Sequence, residues 1–428
     1  MEQPQPSNHL TTQVPSRNAL IVGGVWMIVL AAVLLLCGMC SALFYVVLPF
    51  TRQVRGSPVE TNVALGALAG IGIVLGGALL WQGIGTLAER GLLRAARVFP
   101  PLLVFVILFF VSLLMGLGAL SIQNIVRGAQ GATIAAFVFP PWHVIAASIP
   151  PITILAYAAH RLGATSGVRA LLVSISWGAL GATALGIVIE VLIAAGFVVV
   201  AALVISLGPN SPELIQQLQS QLALARATGD FSTVAGWMNN PAVLAVVLLY
   251  AAVLIPFVEE ALKAIIVAFI DPRRTRLADA LLWGMGAGAG FAVFENLFNG
   301  SAALSIWALT IILRIGATIM HIANGATMGR GWYAARVERR WNRLFIAYIV
   351  SVFFHAAWNA AALLLSSSAT FLLDSQSTSS PMTLPAAGLV AALFIVLLVL
   401  ASLGWVWIVY SVRSAQTSLQ PELVERSS

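Results

Sequence analysis

Charge is what this chain has least of: 9% of its 428 residues are Asp, Glu, Lys or Arg, against 60% hydrophobic. That deficit excludes a water-soluble domain of this length, because too few polar side chains remain to cover its surface. Lysine is scarcer still: Lys263 is the single copy, and arginine supplies every other fixed positive side chain. Cysteine occurs twice, as Cys37 and Cys40 inside the first apolar run, which excludes a disulfide framework and a soluble zinc knuckle. No His-Glu-x-x-His sequence occurs, so the helical zinc-protease signature is missing. The net charge of +7 does not indicate a nucleic-acid partner, because the arginines sort by side of a membrane.

Ten apolar runs are long enough to span a bilayer, at 19–50, 62–87, 101–121, 140–160, 170–207, 242–270, 279–302, 306–329, 344–366 and 384–412. The expected fold is all-α, a polytopic membrane bundle of about ten transmembrane helices with both termini cytoplasmic. In that orientation sixteen arginines fall on the cytoplasmic side, from Arg17 to Arg426, and only Arg52, Arg55, Arg127 and Arg226 on the other. This is the positive-inside bias, and losing one span would destroy it. The 19–50 run is too long for the core of a cleaved signal peptide and reads as a retained anchor.

The chain divides into a tail (1–18), a five-helix membrane region (19–207), an extracytoplasmic loop (208–241), a membrane core (242–366), a loop with the last helix (367–412) and a second tail (413–428). Pro140-Pro141 and Pro150-Pro151 make the fourth span the least regular. In the long loop, Ser211-Pro212-Glu213 reads as a helix start. Ile215, Leu218 and Leu222 then share one face, giving an interfacial amphipathic helix or a solvated connector. The Ser/Thr-rich stretch 366–380 reads as a flexible connector.

Ionisable groups inside the spans concentrate between residues 259 and 359. Glu259, Glu260 and Lys263 lie within five residues, Glu295-Asn296 follow in the seventh span, Arg314, His321 and Asn324 in the eighth, and His355 with Asn359 in the ninth. One such group at the bilayer centre costs at least ~2.5 to 3.5 kcal/mol, so a cluster implies function. At about 1.5 Å per residue, Glu259, His321 and His355 lie roughly 18, 14 and 18 Å from the cytoplasmic ends of their spans, so they converge in depth. Glu295 fits less well, at roughly 24 Å.

Glu259 and Lys263 are four apart, and Glu260 is three from Lys263, so the lysine can neutralise one acid while the other faces a cavity. Two adjacent carboxylates suit one of them to acid or base work. His355 and Asn359 share a face and suit an oxyanion hole. Gly284, Gly286, Gly288 and Gly290 form small-xxx-small patterns that allow close helix packing.

Glu259-Glu260-x-x-Lys263, Phe291-x-x-x-Glu295-Asn296, His321 and His355-x-x-Trp358-Asn359, in this order on consecutive membrane helices, resemble the PrsW family of intramembrane proteases, relatives of the CAAX prenyl endopeptidases. The resemblance covers about residues 242–366. It implies peptide-bond hydrolysis in or beside the membrane, with Glu259 as general base and Glu260 as a second acid or partner of Lys263. Glu295 then holds the water, beside Asn296, and His355 and Asn359 receive the oxyanion. The prenyl endopeptidases usually carry histidine at the position of Glu295, which argues against a prenylated substrate. A metal-free glutamate mechanism and a metal-dependent one both remain open; in the second, Glu259, Glu295, His321 and His355 would ligate zinc. The implied partners are the lipid bilayer and a single-span membrane protein or peptide, for which the family's anti-sigma-factor substrates are the precedent.

A proton-coupled transporter is the competing function, with the same Glu, His and Lys groups as an ion path. Against it, the first half of the chain holds no mirrored set, as inverted-repeat transporters commonly do. A buried structural ion pair is the bland reading of Glu259 and Glu260, and a satisfied helix-interface histidine that of His321 and His355. Arg314 is a counter-charge for the cavity or snorkels, Glu190 a structural or substrate-path residue, and His9, His143 and His160 structural. Abundant Ala, Gly and Arg with one Lys points to a GC-rich bacterial genome and a plasma-membrane location.

Overall fold

The computed structural model describes residues 17–50, 58–88, 98–126, 129–162, 167–206, 216, 219–221, 223–224, 241–269, 271–273, 275–375 and 383–427. Among these, ten helices are long and apolar enough to cross a membrane. They are α1 (Ile21–Phe50), α2 (Val59–Leu87), α3 (Leu102–Ile125), α4 (Gln130–Leu162), α5 (Val168–Phe197), α6 (Leu244–Phe269), α7 (Leu277–Ala302), α8 (Leu304–Arg336), α9 (Trp341–Ser368) and α10 (Pro385–Ser418). The expected bundle of ten spans is therefore observed. The amphipathic helix after Ser211 falls almost wholly outside the described residues, as does the first tail. The ninth helix continues to Ser375, so the stretch read as a flexible connector is helical over 366–375, and the last helix continues to Ser427.

α7 is the central helix: 78% of its most apolar window is buried, against 11% for α1 and 6% for α10. Glycine explains how it is enclosed on two sides. A Cβ at Gly288 would lie 2.3 Å from the His321 carbonyl of α8, and one at Gly290 would lie 2.0 Å from the Ile175 carbonyl of α5. Both are closer than real Cβ atoms approach, so only glycine lets the three backbones meet.

Proline shapes the remaining contacts. It has no N–H, so the carbonyl that would have received it is left without a donor, which is costly in a bilayer. In α4 the carbonyls four residues before Pro140, Pro141 and Pro151 are those of Ala136, Phe137 and Ala147. Each accepts a side-chain hydrogen bond from another helix: Asn62 of α2 donates to Ala136 O at 3.2 Å, the Tyr45 hydroxyl of α1 to Phe137 O, and Asn296 of α7 to Ala147 O at 3.0 Å. The four prolines lie inside one continuous helix, Ala129–Leu162. Their expected irregularity is thus a change in hydrogen-bond partner, and it fastens α4 to α1, α2 and α7.

Candidate active site

α6 changes winding twice as it crosses. A π-helical turn, Leu249–Leu254, precedes the α-helical segment Ile255–Lys263, and a 3-10 stretch, Ala264–Phe269, follows. In the π register the Ile255 N–H reaches Tyr250 O, so the next donor in line, for Ala251 O, is residue 256, a proline. Asn359 of α9 fills that vacancy, its Nδ2 donating to Ala251 O at 3.0 Å. Two further bonds hold the same segment: the Tyr348 hydroxyl to Phe257 O at 2.7 Å and the Trp177 indole to Leu262 O at 2.9 Å. π turns are rare and often mark functional sites.

This segment presents Glu259, Glu260 and Lys263, all buried. The Lys263 ammonium donates to Glu259 Oε2 at 3.1 Å, to Glu260 Oε1 at 2.9 Å and to His321 Nδ1 at 3.0 Å. It also sits 3.8 Å from the centre of the Phe291 ring, a cation–π contact that adds attraction in a desolvated site. The lysine therefore serves both acids rather than one, and what separates them is surroundings. Glu259 lines a cavity of about 600 Å³, whereas Glu260 is turned to His355, whose Nδ1 lies 2.8 Å from Glu260 Oε1. His355 Nε2 lies 3.6 Å from Glu259 Oε2.

Glu295 enters the cluster from α7. Its Oε2 lies 2.5 Å from His321 Nε2 and 2.5 Å from Arg314 Nη2. Because Lys263 can only donate to His321 Nδ1, the imidazole hydrogen is on Nε2 and is given to Glu295. Asn296, beside it, accepts from Arg314 Nε at 2.9 Å and donates to Thr318 Oγ1 at 3.0 Å. The proline-freed carbonyl of α4 thus reaches Glu295 through Asn296 and Arg314.

The depth mismatch between Glu295 and His321 narrows from roughly 10 Å to about 5 Å with the helix details. A 3-10 stretch rises about 2.0 Å per residue, which places Glu259 about 21 Å from Asp271. α8 continues to Arg336, fifteen residues beyond His321, or about 22 Å. Glu295, eighteen residues from Leu277, is about 27 Å along α7. α7 and α8 are antiparallel, and side chains tilt toward their own helix N-terminus, so Glu295 and His321 lean toward each other.

Of the residues expected at the site, Glu259, Glu260, Lys263, Glu295, Asn296, His321 and His355 form one connected polar network, and Asn359 lines the cavity beside Glu259 and Glu295. Asn324 stands apart, donating to Ser351 O at 3.0 Å. Arg314 is the counter-charge of Glu295. Trp177, Tyr348 and the cation–π role of Phe291 carried no signal of their own in the sequence.

A metal ion is best matched by Glu260, His321 and His355, whose ligand atoms all lie within 4.8 Å of one another. One carboxylate with two imidazoles is a donor set of catalytic zinc. This differs from the set read in sequence: Glu260 replaces Glu259, and Glu295 is bound to Arg314. Lys263 occupies two of the three donors, pairing with Glu260 and donating a hydrogen bond to His321 Nδ1. The residues fit a divalent ion in chemistry, with the lysine as its competitor.

A family model described as PrsW family intramembrane metalloprotease matches residues 166–402, more than half of the chain. The match takes in α5 and about half of α10, wider than the 242–366 core. No curated protein and no solved structure matches the chain.

Proposed function

Because this chain belongs to the PrsW family of intramembrane metalloproteases, we propose that it is an endopeptidase in which Glu259 activates the water that attacks a substrate peptide bond. The observation that carries this reading is the position of Glu259. It lines one cavity with Glu295 and Asn359, and Glu260, His321 and His355 are not part of that lining.

In this mechanism Glu295, fixed by Arg314 and His321, holds the water beside Glu259. Glu259 removes its proton as the oxygen adds to the carbonyl carbon, a role worth about 10²- to 10⁴-fold in rate. The second amide hydrogen of Asn359 is a donor for the oxyanion, the first being committed to Ala251 O. Glu259 then returns the proton to the departing amine. Lys263 keeps both carboxylates of the pair in place without touching the substrate. In a metal-dependent form Glu260, His321 and His355 would hold a divalent ion, zinc by donor type, in place of the bonds of Glu260 and His321 to Lys263, and the ion would supply Lewis-acid polarisation.

Family membership and ten spans make this a multi-pass membrane protein whose substrates are membrane proteins. The finer reading is a single-span substrate of the anti-sigma-factor type, in a bacterial plasma membrane, with both termini cytoplasmic. Reconstitution of the purified protein with a library of single-span substrates tests it. Cleavage by the wild type and none by Glu259→Gln is the expected result, and a chelator distinguishes the metal-dependent form from the metal-free one. Undiminished cleavage by the glutamine variant overturns the base assignment, and solute flux without cleavage replaces the peptidase with a proton-coupled transporter.

A further inference from the structure

Glu190 lines the cavity that holds Glu259, and the mechanism leaves it unused. It is the only charged side chain of the helical segment Thr183–Ser206, where a lone acid is costly unless it has a use. Among the described residues its carboxylate has no hydrogen-bond or ion-pair partner. Its surroundings are nevertheless specific. Its backbone carbonyl accepts the Tyr250 hydroxyl at 3.0 Å, which ties this turn of α5 to the π turn of α6. A Cβ at Gly186 would lie 3.3 Å from Glu190 Oε1 and 3.8 Å from Leu262 Cδ1. The carboxylate thus folds back over a glycine, into the seam between α5 and the helix that carries Glu259.

From there Glu190 lines the same cavity as Glu259, Glu295 and Asn359. The rest of that wall is largely apolar, including Ile187, Ile255, Phe291, Phe294 and Trp358. Neither nearby cation is free to serve Glu190: Arg314 is bound to Glu295 and Asn296, and Lys263 to Glu259, Glu260 and His321. Nor is Glu190 in the metal-ligand group, so an ion held there leaves it uncovered. An unpaired carboxylate facing the space where a peptide must lie is complementary to a cation on that peptide.

We propose that Glu190 determines specificity in this cavity, and that preferred substrates carry a lysine or arginine within about three residues of the bond that is cut. The inference rests on the peptidase reading above. The spacing follows from size, since a cavity of about 600 Å³ is on the order of 8 Å across and an extended chain advances about 3.3 Å per residue. A charge-assisted contact of this kind is worth roughly tenfold or more in affinity.

Binding separates this inference from catalysis. In the Glu259→Gln background, reconstituted in nanodiscs, single-span peptides carrying one lysine at successive positions are titrated against the same peptides with glutamine there. The expected result is a roughly tenfold or greater preference for lysine at one or two positions. Glu190→Gln should collapse that ratio toward one, and Glu190→Lys should reverse it in favour of glutamate-bearing peptides. The same ratios measured as KM in the cleaving protein should move, with kcat nearly constant. Equal binding of lysine and glutamine peptides, or a preference that survives Glu190→Gln, overturns the proposal. Lysine-dependent binding that Glu190→Gln abolishes, without any cleavage by the wild type, upholds Glu190 as the cation-recognising group and overturns the peptidase mechanism and the placement beside a cut bond.

Discussion

Two regions bury histidine completely and use it in opposite ways. His143, in α4, accepts the Trp307 indole N–H on Nδ1 at 2.9 Å, so its own hydrogen is on Nε2, 3.0 Å from Leu297 O. Its ring is stacked on Phe139, and Gly116 clears space for Trp307, from which a Cβ there would be 2.3 Å distant. Every polar atom of this knot is satisfied by a neutral partner. His321 and His355 are equally buried, but their partners are Lys263, Glu295 and Glu260, and two carboxylates of that network open onto a cavity. Burial of an imidazole is thus uninformative by itself. Charged partners and access to a space for substrate separate chemistry from packing.

The sharpest way to break this comparison is at Glu259. Glu259→Gln is expected to lower the cleavage rate by about 10²- to 10⁴-fold while the protein still inserts and purifies as a single species, as measured by peptide cleavage and size-exclusion profiles. Lys263→Met comes next. Removing the ammonium leaves two buried carboxylates without their cation, a loss on the order of 3 to 5 kcal/mol, so thermal unfolding in detergent should shift downward and activity should fall with it. If zinc binds at Glu260, His321 and His355, it should raise the unfolding temperature of the wild type and restore that of Lys263→Met more fully, because the competing cation is gone. An unchanged melting curve in zinc for both proteins would remove the metal assignment.

Smaller effects probe the supports. Asn296→Ala strands Ala147 O and frees Arg314, costing about 1 to 3 kcal/mol; melting should shift modestly and cleavage should drop because Glu295 loses its fixed partner. In the neutral knot, Trp307→Phe removes one hydrogen bond at a cost on the order of 1 kcal/mol, with cleavage unaltered. A large activity loss from Trp307→Phe would show that the two histidine regions are coupled, against the distinction drawn above.

Much of the site was legible because its residues are expensive in a membrane. A lone Lys263 behind two glutamates, two further helices bearing imidazole at similar depth and Glu295 on a third stand out against an apolar background, and their order matched a family pattern. The role of α1 to α5 was not legible. Asn62 and Tyr45 look unremarkable in sequence, and Asn296 stood out only as a neighbour of Glu295; what each one does depends on which carbonyl it meets across a helix interface. Trp177 and Tyr348 are equally silent for the same reason.

The sequence by itself determined the ten spans and the list of reactive groups, because hydropathy and the cost of buried charge act locally along the chain. Only the tertiary structure decided how those groups divide their work. Glu259 and Glu260 are adjacent in sequence, yet one faces a cavity and the other a histidine pair. That difference is created by the winding of α6 and by side chains of α5 and α9 that hold its backbone carbonyls. Glu190, sixty-nine residues before Glu259, acquires a place in the same cavity for the same physical reason: in a bilayer, unmatched donors, acceptors and charges must be satisfied across helices, and which helix supplies the partner is a property of packing.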